Sequence, residues 1–345
     1  MFEPQPFHER RPGLVHPVRL DPTGAAGPTR GQARGPKWRT TSYGLRVPAG
    51  VELTPEQRTV EAAGVLREGE AVTGWAALRW EGSVWFDGTA DGTEPRDVPL
   101  VVSRHLAPQP GLRLSQEFLA PYDIAAVDGL AITSRVRSVV FEMRYAASLG
   151  RAVEALDMAC YSDLVSLAEV GAHAAALGPV TGIQQARDAL AEGEENAWSP
   201  RETAMRGVWT RRAGLARPLC NVPVFSLEGV HVGTADLIDP VLGLVGEYNG
   251  ALHVSGSSMA KDLRREAAFR DLGLETVTMV AADWGDLDDF TSRLLAARGR
   301  ALARTGAPRW TVEVPAWWTP TTTVAQRRAL AAWQQERFLR YRRAA

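Results

Sequence analysis

Apolar and polar positions change period several times along the chain, and each change predicts an element. Residues 1 to about 50 are rich in Pro, Gly and Arg and carry no periodic apolar positions, so they read as a flexible arm or an extended, partly ordered segment. Regular order begins at Thr54-Pro55-Glu56-Gln57, where a threonine N-cap and a proline at the first helical position predict a helix to about Arg67. A second helix includes Thr73 to Leu78. Four short β-type runs follow, punctuated by Gly and Pro: Val84-Trp85-Phe86, Pro99 to Val102, Leu112 to Leu114 and Ile124 to Val127. Helical spacing then runs from Ser134 to Leu190, and the polar string Glu192-Gly193-Glu194-Glu195-Asn196 predicts a domain boundary.

Beyond that boundary the order is helix, three strands, helix, strand, helix. Ser199 suits an N-cap, Pro200 the first helical position and Glu202 the third, a capping-box arrangement for a helix ending by Gly214. The strand candidates are Val222 to Phe225, Val230 to Ile238 and Leu242 to Tyr248. A helix from about Ser258 to Leu272 stops at Gly273, Thr276 to Val280 reads as a buried strand, and Asp286 to Ala297 as a further helix. Past Arg300, a segment with Trp310, Trp317, Trp318 and Pro320 leads into a basic helix ending in Arg342-Arg343, and no internal repeat is visible.

Composition adjusts this picture in three places. A chain of 345 residues with 45% hydrophobic and 23% charged residues has the make-up of an ordinary globular protein, long enough for two domains. The net charge of −1 argues against a uniformly basic coat for nucleic acid, yet it hides a basic arm (eight basic against three acidic residues over 1–50) and a basic end (ten arginines against Glu313 and Glu336 from Arg298 onward). Only Lys37 and Lys261 are lysines, which in so alanine-rich a chain reads first as coding bias. Cys160 and Cys220 lack metal-type or disulfide-framework spacing. No apolar run reaches the roughly 18 residues of a membrane span, and the amino-terminal stretch has no signal-peptide core, so a cytoplasmic protein without membrane contact is expected.

The candidate chemistry is carboxylate chemistry. Asp236 lies in the second of the three strands and Glu247 near the end of the third, across a turn at Asp239-Pro240. Antiparallel strands joined there bring the two acids close. Carboxylates inside apolar strands are costly unless a cation or donor compensates them, and a hard cation such as Mg²⁺ binds through oxygen ligands. Held so, it can activate a water and stabilise charge on a phosphoryl oxygen. Glu202 adds a third carboxylate while also serving its capping box, and His253 offers a proton carrier or phosphate contact. Asp262 and Arg265, one helical turn apart, form either a surface ion pair or, through Arg265, a phosphate contact.

This order of elements and acids resembles the PD-(D/E)XK endonuclease superfamily, and more closely the small bacterial branch related to very-short-patch-repair endonucleases. The residues that carry the resemblance are Glu202, Asp236, the string Glu247-Tyr248-Asn249-Gly250-Ala251-Leu252-His253, and Asp262-Leu263-Arg264-Arg265. It covers roughly 90–100 residues, the size of a small domain. It implies a restriction-endonuclease-like α/β domain, a mixed sheet flanked by helices, preceded by an α+β domain. The implied ligands for Mg²⁺ (or Mn²⁺) are Asp236, Glu247, the Tyr248 carbonyl and Glu202. Asn249 and His253 join Asp236 and Glu247 as the catalytic set, and Asp262 and Arg265 face nucleic acid. Where that branch usually has an aspartate this chain has Asn249, which can hydrogen-bond but carries no charge and cannot act as a base.

Earlier in the chain, Val127-Asp128-Gly129-Leu130-Ala131-Ile132-Thr133-Ser134-Arg135-Val136-Arg137-Ser138 and the alanine-rich helix holding Asp157 resemble the C-terminal portion of AbiEi-family antitoxins. That likeness implies a regulatory or partner-binding module, with a toxin or other defence-system protein as partner; the winged helix usual in that family is not evident over 1–50. The expected map is a basic arm over 1–50, an α+β domain over 51–191, a nuclease-like domain over 199–299 and a basic extension over 300–345. The expected activity is metal-dependent hydrolysis of DNA phosphodiesters in phage defence or DNA repair. Two alternatives stay open: a non-catalytic, antitoxin-like regulator or adaptor that binds DNA or a toxin, and a hydrolase of some other phosphoester.

Overall fold

The computed structural model describes residues 5–250 and 256–343, the side chains of 256–263, 341 and 343 excepted. The fold class is α/β, built of mixed sheets and helices. By internal contacts the chain divides into one unit of residues 1–146 with 168–187 and another of residues 147–167 with 188–345. The division is not the one drawn from composition: the helix over Leu149–Tyr161 belongs with the carboxyl-terminal unit.

Residues of the expected arm form short strands. β1 (Pro6–His8) pairs with β2 (Arg11–Val15), while β3 (Val18–Arg19), β4 (Trp38–Thr40) and β5 (Leu45–Pro48) make a three-stranded sheet. Two features order a stretch that lacks periodicity. Leu45 and Val47 are buried, and the Gln57 amide accepts from the Val15 N–H at 2.9 Å and donates to its carbonyl at 3.0 Å. Gln57 lies on α1 (Pro55–Ala63), whose N-cap is Thr54 as the sequence predicts. The helix stops short of Arg67 at Gly64, where a Cβ would meet Pro17 Cγ at 2.6 Å and Leu45 Cδ1 at 2.8 Å.

β6 (Ala71–Val72), α2 (Gly74–Trp80), β7 (Val98–Val101), β8 (Leu112–Ser115), β9 (Ile124–Val127) and β10 (Leu130–Thr133) follow, with α3 (Arg135–Tyr145) capped by Ser134. Their sheet has the order β8-β7-β6-β10-β9, which leaves β8 at an edge. Val84-Trp85-Phe86 is a turn and not a strand. The long helical stretch is broken into α4 (Leu149–Tyr161), α5 (Leu167–Ala176) and α6 (Ile183–Glu192).

The second unit, which already holds α4, continues with α7 (Pro200–Gly207), which widens into one π-helical turn over Val208–Arg212. β11 (Leu219–Ser226), β12 (His231–Asp239) and β13 (Leu244–Asn249) form an antiparallel meander. α8 (Gly256–Asp271) then crosses over to β14 (Glu275–Val280), parallel to β13, and α9 (Leu287–Ala303) follows. β15 (Trp310–Thr311) pairs with β11, so the sheet order is β14-β13-β12-β11-β15. One core gathers Met205, Trp209, Leu237, Leu244, Met279 and Phe290; another gathers Val224, Ile238, Val245, Phe269 and Trp310. Trp318 packs on Phe225 and His231, with ring centroids 5.2 and 4.9 Å away, whereas Trp317 is exposed. α10 (Val324–Arg328) is pinned by Arg327, a fully buried arginine that binds Asp163 at 2.7 Å and the carbonyls of Cys160 and Glu195. α11 (Ala332–Phe338) ends the helical run. Both cysteines are buried and free, and among the described residues no helix is long and apolar enough to cross a membrane.

Inside this unit α4 and α7 share a buried ion pair. Asp157, fully buried, accepts from Arg206 at 2.7 Å, from the Thr203 hydroxyl at 2.8 Å and from the Glu194 amide at 2.7 Å. Burial alone pushes the Asp157 carboxyl up, and these donors are what compensate its charge. Removing the cation strands the carboxylate, so Arg206→Met is expected to lower stability in urea at pH 7 by about 3–5 kcal/mol, with much of it recovered in Asp157→Leu/Arg206→Met. A single-variant loss below about 1 kcal/mol would contradict a compensated buried pair.

Candidate active site

The site is built on the registers of β11, β12 and β13. Leu237 pairs with Gly246 across β12 and β13, the last paired step of that ladder before Asp236 and Glu247. Opposed residues of an antiparallel pair share a face. Leu237 and Gly246 face Trp209, a Cβ on Gly246 meeting that ring at 3.2 Å. Glu247, next to Gly246, lies on the opposite face, toward α8, while Asp236 sits between Ala235, which packs with Phe269 of α8, and Leu237, which packs with Trp209. Glu247 is buried, and Arg265 of α8 reaches it at 2.5 Å. Gly233 lets it pass: a Cβ there would sit 2.9 Å from Arg265 Cγ and 3.1 Å from the Phe269 ring. Asp236 is half-buried, and its Oδ2 accepts from the Tyr248 amide at 2.8 Å.

Glu202 enters from α7. The Ser199 hydroxyl caps its amide at 3.2 Å and donates to its Oε1 at 3.0 Å. Its Oε2 accepts from the Trp198 amide at 2.9 Å and from Asn221 Nδ2 at 2.6 Å. The expected box thus forms with its acid reaching one residue further back than Ser199. Burial, and next the negative charge of Asp236, push the Glu202 carboxyl up to about 7, against the pull of the Asn221, Trp198 and Ser199 bonds. A proton on Oε1 would face Ser199 Oγ, leaving Oε2 for its two donors.

Sequence reasoning missed Asn221. Its neighbours in β11, Cys220 and Val222, pair with Leu237 and Ala235, so Asn221 lies opposite Asp236. It has φ of 49°, the left-handed region that asparagine tolerates better than most side chains, in the middle of a strand. Its Nδ2 also donates to the Asn196 carbonyl at 2.8 Å, which fixes the amide orientation because both partners are acceptors. Its Oδ1 is buried and makes no hydrogen bond among the described residues. The one signal in sequence was an asparagine within an otherwise apolar strand run.

The structure brings Asp236 beside Glu202 and the Tyr248 amide, and Glu247 beside Arg265. Asn249 lies exposed at the end of β13. The Tyr248 ring turns away, its hydroxyl accepting from Trp284 Nε1 at 3.2 Å. Asp262 lies on α8 with its side chain outside the described residues, and His253 lies outside them altogether. Among the described residues no three His, Cys, Asp or Glu side chains group as a metal-binding set. The oxygen-rich surroundings and the unbonded Asn221 Oδ1 nonetheless fit a hard cation or a water better than a soft metal.

An unfolded glutamate titrates near 4.5, so between that pH and about 7 the folded protein binds more protons at Glu202 than the unfolded chain. Stability from this group therefore falls as pH rises through that window. Glu202→Gln keeps the acceptor for Trp198 and Asn221 and a donor for Ser199 without the titration. The difference in melting temperature between Glu202→Gln and the wild type should grow in favour of the variant from pH 4.5 to 7. A constant difference would contradict the raised carboxyl. Compared with known proteins, the chain matches no family model, no curated protein and no solved structure.

Proposed function

We propose that the second unit is a restriction-endonuclease-like domain that hydrolyses DNA phosphodiesters with Mg²⁺ or Mn²⁺, in the manner of the very-short-patch-repair-like branch of the PD-(D/E)XK superfamily. The observation that carries this reading is that Asp236 and Glu247 adjoin the paired end of β12 and β13, with the negative charge of Asp236 raising the Glu202 carboxyl. The order α7, β11, β12, β13, α8, β14, α9, with a parallel crossover through α8, supports it. Asp236 and Glu247, with the Tyr248 carbonyl, would hold the cation, which when bound neutralises charge on a phosphoryl oxygen and acidifies a water.

The chain's own groups do the rest. The Tyr248 amide fixes Asp236 Oδ2. Glu202, titrating near neutrality, takes or returns a proton at Oε1. Arg265 neutralises Glu247 and can instead clamp a phosphate oxygen, since a guanidinium serves both anions with the same donors. Asn249 and His253 complete the proposed set, with Asp262 and Arg265 toward the nucleic acid. The first unit would supply recognition of target or partner, as its AbiEi-like stretch implies, and the protein would act in the cytoplasm.

One observation favours a second reading. Glu247 is already compensated by Arg265, and the exposed Asn249 brings no charge. A non-catalytic, antitoxin-like regulator or adaptor that only binds DNA or a toxin would have this appearance.

Cleavage separates the two. Supercoiled plasmid incubated with the protein and Mg²⁺ or Mn²⁺ should be nicked, and Asp236→Ala or Glu247→Ala should reduce nicking by about 10²-fold or more with DNA binding retained. Absence of metal-dependent nicking by the wild type, with DNA still bound, would overturn the enzyme in favour of the regulator.

A further inference from the structure

The first unit holds a cavity of about 380 Å³ at the open edge of its sheet, lined by Arg113 to Glu117 of β8 and the loop after it and by Phe141 and Tyr145 of α3. None of these residues enters the reading above. Arg113 is half-buried and lies over two rings tilted 53° to each other, its guanidinium carbon 4.6 Å from the Tyr145 centroid and 5.4 Å from that of Phe141. Among the described residues this guanidinium makes no ion pair or hydrogen bond. A ring-stacked guanidinium has its face satisfied and its in-plane N–H donors left over.

The acid in the cavity does not answer Arg113. Glu117 takes two bonds from Arg144, both 2.9 Å, and one of 2.6 Å from the Tyr145 hydroxyl, with Arg137 3.7 Å away. These partners hold its carboxyl below the ordinary glutamate value against the opposing effect of burial. Arg137 is also paired with Asp123 at 3.3 Å. Across this cluster three arginines (113, 137 and 144) face two acids (117 and 123), which leaves one positive charge, and Arg113 is the cation with no partner. Ser115 adds a hydroxyl whose only bond here is accepted, from the Glu117 amide at 3.4 Å. Gln116 spends one amide proton on the Arg104 carbonyl at 3.0 Å and keeps another.

We infer that this cavity is a binding site for a phosphate group, with Arg113 as its principal ligand and Ser115 and Gln116 as neutral donors. Donors on three side chains lining one cavity suit a tetrahedral oxyanion, and the two rings restrict the guanidinium before the anion arrives, which reduces the entropy lost on binding. The anion can come as free phosphate or as the terminal phosphate of a nucleic acid; both present the same oxygens.

The test uses the full chain and titrates inorganic phosphate by calorimetry, then compares a 5′-phosphorylated oligonucleotide with its 5′-hydroxyl counterpart. Saturable binding of one phosphate per chain is expected. Loss of one charge-assisted contact should weaken it about tenfold or more in Arg113→Gln, and Arg113→Lys should not restore it, because lysine keeps charge but not the planar fork. Ser115→Ala should weaken it less. Melting curves without phosphate show whether each variant remains folded. Preference for the phosphorylated oligonucleotide assigns the site to nucleic-acid ends; equal binding of the two oligonucleotides, with inorganic phosphate still bound, assigns it to free phosphate. Binding should be unaffected in Asp236→Ala, which separates this site from the acidic one. Failure of phosphate to saturate, or equal affinity in a folded Arg113→Gln, would overturn the inference.

Discussion

The second unit depends on one register. Leu237 opposite Gly246 places the apolar side chain under Trp209, and Glu247, the next residue of β13, on the other face. Side chains alternate along a strand, so a slip of β13 by a single residue would turn Glu247 toward the α7–α9 core. The register is therefore specified by the cost of burying charge as much as by the gain of burying leucine. Across β11 the same ladder sets Asn221 against Asp236, and Asn221 in turn anchors Glu202. Helix and sheet meet at this point through polar contacts, each with a stated donor and acceptor.

Two kinds of compensation keep the acids in place. Asp157 is paired with Arg206 and belongs to the scaffold. Glu202 instead faces neutral donors and the negative charge of Asp236, and its carboxyl rises to near neutrality. A buried carboxyl poised there, beside a second acid and an unbonded amide oxygen, is the usual physical mark of a site that exchanges protons or binds cations. Arg265 stands between these regimes, pairing with Glu247 while lying on a half-exposed helix face where an anionic substrate could compete for it.

Much of this was legible in the sequence. Ser199, Pro200 and Glu202 announce α7 and its cap because capping is local chemistry. The alternation around Asp236 and Glu247, with the turn at Asp239-Pro240, fixes the β12–β13 hairpin for the same reason. What could not be read depends on distant partners. Asn221 looks like a turn residue until β12 lies beside it, Gly233 looks incidental until Arg265 crosses it, and the strands over residues 6–48 are ordered by the burial of Leu45 and Val47 and by the Gln57 amide of α1. The tie of α4 to α7 through Asp157 likewise joins segments that composition had set on opposite sides of a boundary.

The central claim is that Asp236 and Glu247 form a cation site, and direct binding of Mn²⁺ to the DNA-free protein, followed by electron paramagnetic resonance, tests it without requiring turnover. The account predicts saturable uptake of Mn²⁺ that Mg²⁺ displaces and that Asp236→Asn removes in a folded variant. Mn²⁺ remaining free at every protein concentration, or bound equally by Asp236→Asn, would contradict it.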